Sequence, residues 1–317
     1  MGSLKIAAVG DSTTAGYRAL AATQSWPVLL RTALAAAGYP TMGTGPVVGN
    51  PGGAPGGFLD GRYTFSGTWT TQAGNANFLL QTIVNGATAT FASDVAGTIV
   101  EIKYLNNGGT FSYAIDGGAA VPVTPSGAGS IGTVTVTGLA NTTHSVVITA
   151  TSTSAFYLPW VDVRGATSGV LVANFGVNSS MTAHWTNNTF YYPGPMSQSW
   201  GPNVTFIDLG INDLAGAVTT ATYKANLQTL ITAYAALGDV FLVIGNPTQS
   251  GDRSAYNAAC YQLADSNDIP LIDLMERLGT WASMNVQGLA ADASHPNAAG
   301  YVEKFAGIFA ALDIPIA

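Results

Sequence analysis

Val204-Thr-Phe-Ile-Asp-Leu-Gly-Ile-Asn-Asp213 is an apolar run that breaks into a turn. A helical pattern follows over residues 220–237, and then a second apolar run, Val240-Phe-Leu-Val-Ile244. Continuous apolar runs of this length, separated by helix-length amphipathic segments, are the signature of strands buried on both faces. The pattern repeats downstream as a helix over 253–266, a strand Leu271-Ile-Asp273 and a helix over 297–312, and upstream as the strand Val170-Leu-Val-Ala173. At the N-terminus, Leu4-Lys-Ile-Ala-Ala-Val9 leads into Gly10-Asp11-Ser12-Thr13 and then a helix over 26–37, ended by Gly38 and Pro40. Strand alternating with helix predicts a parallel sheet covered on both faces, an α/β fold.

Between these two stretches the texture changes. Val47-Val-Gly-Asn-Pro-Gly-Gly-Ala-Pro-Gly-Gly57 is turn chemistry of the kind found where one unit hands over to another, and a boundary is placed near Phe58. From there to about Gly169 short β-type runs alternate with turns, at residues 87–91, 98–104, 110–115, 132–137 and 145–149. Asn106-Asn-Gly-Gly109 and Asp116-Gly-Gly118 supply turn residues that tolerate positive φ. The expected organisation is therefore an α/β domain of residues 1–57 and 169–317, interrupted by an inserted all-β, jelly-roll-like sandwich of residues 58–168.

Composition narrows the function. The 317 residues are 47% hydrophobic and 9% charged, with a formal net charge of −7, so a large core is available and the cationic footprint needed for nucleic acid or anionic lipid is missing. Nucleic acid is not expected as a partner, nor is a membrane span, since no stretch approaches ~20 apolar residues. The single cysteine, Cys260, cannot form an internal disulfide and reads as a buried small hydrophobe within a helix. His144, His184 and His295 are too dispersed to suggest a zinc site, and neither metal nor cofactor is called for. The N-terminal apolar run is shorter than a signal-peptide core, and the expected location is extracellular or virion-associated.

In an open parallel sheet, ligands bind where the carboxyl ends of the strands converge. Those ends here carry Gly10-Asp11-Ser12, Asn174-Phe-Gly176-Val-Asn-Ser179, Gly210-Ile-Asn212-Asp213, Gly245-Asn246-Pro247 and Asp292-Ala-Ser-His295-Pro296. A hydroxyl, an imidazole and a carboxylate delivered to one edge are the parts of a serine hydrolase: a base must take the hydroxyl proton, and a carboxylate fixes that base's tautomer. Ser12, His295 and Asp292 fit these roles. Asp292 and His295 are three apart, and Pro296 suits the first position of a helix, so both side chains are expected to project from one turn. The amides of Ser12 and Ser179 and the side-chain nitrogen of Asn212 are candidate donors to the oxyanion. Taken singly, Gly-Asp-Ser is a common turn and the other two motifs are ordinary helix caps; their joint order along successive strand ends is what points to catalysis.

Gly10-Asp11-Ser12 near the N-terminus, Gly210-Ile-Asn212-Asp213 after the third strand and Asp292-x-x-His295 near the C-terminus resemble, in order and spacing, three sequence blocks of the SGNH/GDSL hydrolases. The resemblance implies a flavodoxin-like three-layer α/β/α fold, no metal requirement, and ester hydrolysis by a Ser-His-Asp triad with a three-donor oxyanion hole, with Asp11, Gly210 and Asp213 in supporting positions. One block departs from the family pattern: serine stands at position 179 where family members usually carry glycine. The donor is a backbone amide, which serine can also supply; Gly176 and Ser180 are the alternatives.

The stretch 177–203 reads as irregular and carries His184, Trp185, Tyr191, Tyr192 and Trp200, either as a substrate-facing loop over the active-site edge or as aromatic packing. The insert resembles the galactose-binding-like or jelly-roll modules that accompany some carbohydrate esterases. Its Trp69, Tyr104, Tyr157 and Trp160 are candidates for stacking on sugar rings or for the sandwich core, and His144 is expected as a surface or turn residue and not a ligand. The expected function is a serine esterase acting on O-acetyl or other short acyl groups of a polysaccharide or cell-envelope glycan. The competing readings are a lipid or short-chain ester hydrolase and a glycan-binding structural protein, such as a tail or surface component, with a vestigial hydrolase scaffold.

Overall fold

β1 (Leu4–Gly10) shows why the parallel sheet forms: Ile6 and Ala8 point into one apolar cluster, Ala7 and Val9 into another, and all four are buried. A strand apolar at both alternating sets of positions is stable only with a layer on each face. The coordinates are those of a computed structural model, which describes residues 3–19, 22–47, 60–71, 79–127, 129–165, 168–249 and 251–312; the expected boundary at Phe58 and most of the turn-rich stretch before it lie outside the described residues.

After β1 come a one-turn helix α1 (Ser12–Ala15) and α2 (Trp26–Ala36). Eleven strands follow: β2 (Tyr63–Ser66), β3 (Thr70–Thr71), β4 (Leu80–Thr82), β5 (Thr88–Ala92), β6 (Gly97–Leu105), β7 (Phe111–Ile115), β8 (Val121–Val123), β9 (Ile131–Thr142), β10 (Ser145–Ala150), β11 (Phe156–Leu158) and β12 (Trp160–Arg164). The α/β alternation then resumes with β13 (Val170–Gly176), α3 (Thr182–Thr186), α4 (Pro193–Gln198), β14 (Val204–Asp208), α5 (Ile211–Ala215), α6 (Thr220–Ala235), β15 (Asp239–Ile244), α7 (Ser254–Asn267), β16 (Leu271–Asp273), α8 (Leu274–Leu278), α9 (Trp281–Val286) and α10 (Ala298–Ala310).

The parallel sheet has the order β13-β1-β14-β15-β16. Numbered along the chain this is 2-1-3-4-5, the flavodoxin-like order, whose switch point lies between β1 and β14. On one face α2, α8 and α10 cover the sheet through Trp26, Leu30, Leu278 and Ile308; on the other α6 and α7 do so through Leu227, Ile231, Ala259 and Leu263. Trp26 is fully buried, and its truncation to alanine would cost ~3–5 kcal/mol.

The strands between β2 and β12 form a five-stranded sheet (β2-β5-β10-β7-β8) and two three-stranded sheets (β11-β4-β3 and β12-β6-β9). Phe91, Phe111, Val146 and Ile148 of the first meet Val100, Ile102, Val161, Val163, Phe156 and Leu158 of the others in one core, a sandwich of antiparallel strands. This part is packed firmly on the parallel sheet. Trp160 lies edge-on to Phe175 of β13 at 5.5 Å, and Arg31 of α2 is 3.9 Å from Asp94.

The packing decides between the two readings of the insert's aromatics and changes one expectation. Trp160, 1% exposed, belongs to the interface between the two parts and has no face to offer a sugar. Tyr104, Tyr157 and Trp69 are half-buried against Phe111, Tyr191 and Phe156 respectively. His144 does lie in the short connection between β9 and β10, but not at the surface: it is buried, with Nδ1 2.7 Å from Asp116 Oδ2 and Nε2 3.0 Å from the carbonyls of both Gly97 and Ala140.

Candidate active site

Ser12 opens α1 directly after β1. Asp11 caps this turn, its Oδ1 accepting from Thr13 N–H at 2.8 Å and from Thr13 Oγ1 at 2.9 Å. The cap holds the first turn of the helix in place. Gly10 has no room for a side chain: a Cβ there would sit 2.1 Å from Thr14 Oγ1. Beneath the turn lies a buried polar cluster. Lys304 Nζ is 2.6 Å from Asp208 Oδ2 and donates to Thr13 Oγ1 at 2.9 Å, while Thr14 Oγ1 donates to Asp208 Oδ2 at 2.9 Å. Burial first, and then the charge of Asp208, push the Asp11 carboxyl up to about 6 against the opposing pull of Lys304 and Thr13.

The stretch after β13 is tied to the same place. Val177 N–H and Ser180 Oγ both donate to the Gly10 carbonyl, at 2.9 and 3.3 Å, and Ser180 N–H closes a tight turn on the Val177 carbonyl at 3.1 Å. Ser179 occupies the left-handed position of that turn, φ +60°, a conformation that glycine adopts without penalty and serine at a cost of ~1 kcal/mol. Of the three amides considered for this stretch, Gly176 N–H is taken by Asn174 Oδ1 at 2.9 Å and Ser180 N–H by Val177; the Ser179 and Ser12 amides have no acceptor among the described residues.

Gly210, at φ +127°, turns the chain from β14 into α5, with the Tyr223 hydroxyl where a Cβ would point. Asn212 on α5 donates one Nδ2 hydrogen to the Ser180 carbonyl at 3.0 Å, which orients the carboxamide and leaves its second N–H for a ligand. Asp213 is buried and accepts from Thr182 N–H and, at 2.6 Å, from Thr182 Oγ1; burial raises its carboxyl above the usual range despite these bonds.

The fourth stretch brings an imidazole to the Ser12 hydroxyl. His295 Nε2 is 2.9 Å from Ser12 Oγ, and its Nδ1 is 2.8 Å from Asp292 Oδ1 and 3.1 Å from Oδ2. Pro296 does not occupy the first position of a helix, as the sequence suggested. α10 starts at Ala298 behind an Asn297 cap, and Asp292 instead folds the loop around itself by accepting from Ser294 and His295 N–H, each at 2.9 Å. Burial raises its carboxyl, but those two bonds and the imidazole outweigh burial and hold it at about 2. It is therefore an acceptor throughout the neutral range. Asn246 Nδ2 braces the loop at Ser294 O, 3.0 Å away.

Several neighbours gave no sequence signal. The Tyr17 ring stands edge-on to His295 at 4.8 Å, Arg18 Nε donates to Asp292 Oδ2 at 3.1 Å, and Lys304 lies under Ser12. A lysine in the middle of a helical pattern reads as a solvated face; only the packing of α10 shows it to be fully buried. Of the aromatic stretch, Trp185 and Trp200 are core residues, 1% and 2% exposed, because 177–203 is not irregular but folds into α3 and α4 against β13 and α6. Tyr191 accepts from Asn107 Nδ2 at 2.6 Å and packs on Tyr157. His184 Nδ1 accepts from Met181 N–H at 2.9 Å and its ring faces Tyr192; burial lowers its pKa against the pull of Asp213. A cavity of about 260 Å³ is lined by Ile211, Leu214, Ala215, Thr248, Gly251 and Ser294, two of which, Ile211 and Ser294, precede Asn212 and His295 in the chain. Among the described residues no three His, Cys, Asp or Glu side chains are grouped to hold a metal, and no helix is long and apolar enough to cross a membrane.

The model of the GDSL-like lipase/acylhydrolase family matches residues 142–302, just over half of the chain, including Gly210-Ile-Asn212-Asp213, Asp292 and His295. The chain belongs to that family. It is a carboxylic ester hydrolase of the SGNH/GDSL type. Among solved structures, one described as "Peptidoglycan O-acetylesterase in action, 5 min" superposes with a TM-score of 0.71 at 13% identity, covering 98% of this chain and 91% of that one. A family two carbohydrate esterase from Cellvibrio japonicus aligns with a TM-score of 0.33 at 12% identity, over 80% of this chain and 95% of that one. No curated protein matches the sequence.

Proposed function

We propose that this SGNH/GDSL hydrolase removes O-acetyl or other short acyl groups from a polysaccharide or cell-envelope glycan, with Ser12 as nucleophile, His295 as general base and acid, and Asp292 as the carboxylate that orients His295. The observation that carries the chemistry is the unbroken relay Ser12 Oγ to His295 Nε2 to Asp292, 2.9 and 2.8 Å, built from stretches 283 residues apart in the chain. Asp292 accepts from Nδ1–H and leaves Nε2 as the lone-pair nitrogen facing the hydroxyl, the tautomer a base requires. Ser12 Oγ attacks the ester carbonyl as its proton passes to Nε2. The developing oxyanion is received by the Ser12 and Ser179 amides and the free N–H of Asn212 Nδ2. Protonation of the alcohol by His295 releases it and leaves an acyl-Ser12, which water hydrolyses by the reverse proton movements.

What supports the substrate reading is a cavity of limited size whose lining includes Ile211 and Ser294, the chain neighbours of Asn212 and His295, and a fold shared over nearly the whole chain with a structure described as a peptidoglycan O-acetylesterase. The test has two arms. A fluorophosphonate should label the wild type at Ser12 and leave Ser12→Ala unlabelled; labelling that survives the substitution removes Ser12 from its role. Acetate release is then compared on acetylated xylan, acetylated peptidoglycan and an aryl acetate, against aryl esters of increasing chain length. A rate that climbs with chain length, with no release from either glycan, overturns the substrate assignment and favours a lipid-type ester hydrolase.

A further inference from the structure

Lys304 is 0% exposed, and nothing in the ester chemistry just described uses it. It stands on α10, which begins three residues after His295, and its ammonium reaches through the protein to Thr13, the neighbour of Ser12. An ammonium only donates. Thr13 Oγ1 must therefore accept from Lys304 Nζ, and its single hydrogen has one place left to go, Asp11 Oδ1 at 2.9 Å. The carboxylate so held also accepts from Thr13 N–H at 2.8 Å. Asp11 and Thr13 flank the nucleophile, so the direction of the whole chain of bonds around Ser12 is set from below by one lysine. Asp208 Oδ2 completes the arrangement by taking both Lys304 Nζ and Thr14 Oγ1, which fastens the next residue of the turn to β14.

We propose that Lys304 and Thr13 are positioning residues of the hydrolase: the Lys304–Thr13–Asp11 chain fixes the turn that carries Ser12 and couples it to the helix that follows the His295 loop, so that the 2.9 Å hydroxyl–imidazole contact is preset before substrate arrives. The inference rests on Ser12 and His295 acting as nucleophile and base. Neither residue touches substrate. Loss of the chain lets the hydroxyl drift from its attack position without altering the surface that binds ester, and misplacement of this kind costs about 10- to 100-fold in turnover.

The test is the KM-against-kcat split on an aryl acetate, measured on folded protein well below its melting temperature. Thr13→Val, which keeps the shape and removes the hydroxyl, should lower kcat and the rate of fluorophosphonate labelling about 10- to 100-fold with KM within about twofold. Thr13→Ser, which restores the hydroxyl, should bring both rates back. Removing Lys304 alone would leave Asp208 buried and unpaired, so the companion variant is the charge-balanced Lys304→Met/Asp208→Asn, expected to match Thr13→Val in kcat. Wild-type kcat and labelling in either Thr13→Val or the double variant overturn the proposal. Failure of both to fold also overturns it, since the chain would then serve the fold and not the nucleophile. These outcomes are separable from failure of the triad itself, which would appear as labelling that persists in Ser12→Ala.

Discussion

Replacing Asp11 by asparagine should make the protein more stable at neutral pH and leave it unchanged in acid. Asp11 is 1% exposed, and two buried carboxylates, its own and that of Asp208, share a single ammonium from Lys304. One cation cannot neutralise both, and with Oδ2 unpaired among the described residues the Asp11 carboxyl is pushed from 3.8 up to about 6. A folded value above the unfolded one means that the fold favours the protonated form. The stability that this form contributes is fully present below 3.8 and is lost as pH rises through about 6. A rise of that size corresponds to on the order of 3 kcal/mol. Asparagine keeps the oxygen that accepts from Thr13 and carries no charge to desolvate. Urea unfolding of both proteins between about pH 4 and about pH 8 checks this: the curves should coincide at the acid end and separate through pH 6, with the wild type lower by on the order of 3 kcal/mol at the alkaline end. Parallel curves, or a wild type that gains on the variant as pH rises, would refute the reasoning.

Three further outcomes follow from the geometry. Asn212→Ala removes the donor oriented by Ser180 and should lower kcat by ~10²- to 10³-fold with little change in KM, read from steady-state kinetics on an aryl acetate. At the left-handed position 179, Ser179→Gly should retain activity and gain up to ~1 kcal/mol in thermal unfolding, whereas Ser179→Pro, which cannot adopt φ +60° and has no N–H, should lose both activity and stability. His144 donates from both ring nitrogens; burial lowers its pKa, but the Asp116 carboxylate and the Gly97 and Ala140 carbonyls more than offset this and raise it above 6.5. Its contribution is thus complete below 6.5 and is lost as pH rises through the folded value, so wild-type stability should decline on the alkaline side while that of His144→Gln stays flat.

How much was legible in the sequence depended on the range of the interaction involved. Ser12 and Asn212 were readable as candidates because each closely follows a long apolar strand, β1 or β14, and parallel strands deliver their ends to one edge; Asp292 and His295, which lie beyond β16, α8 and α9, were singled out by residue type and their Asp-x-x-His spacing. The helices over 220–237 and 253–266 were readable within two residues for the same local reason. The short strands β2, β3, β4, β8 and β11 were missed because segments such as Val121–Val123 hold too few alternations to show a period, and β12 because it is buried on both faces and shows no alternation. Trp185 and Trp200 were open between substrate and core because an aromatic side chain serves both, and only the packing of α3 and α4 on the sheet chose.

What the sequence by itself determined is the alternation of buried strand and amphipathic helix, the interruption by antiparallel β segments, and the residue types placed at the strand ends; each is a matter of periodicity or turn chemistry within a dozen residues. Tertiary structure alone decided that Lys304 is buried against Thr13, beside Ser12, that His144 is enclosed by a carboxylate and two carbonyls, and that among the described residues the Ser179 amide is left free while those of Gly176 and Ser180 are used. These depend on which groups lose water and which partners replace it, and such partners lie up to 291 residues away along the chain.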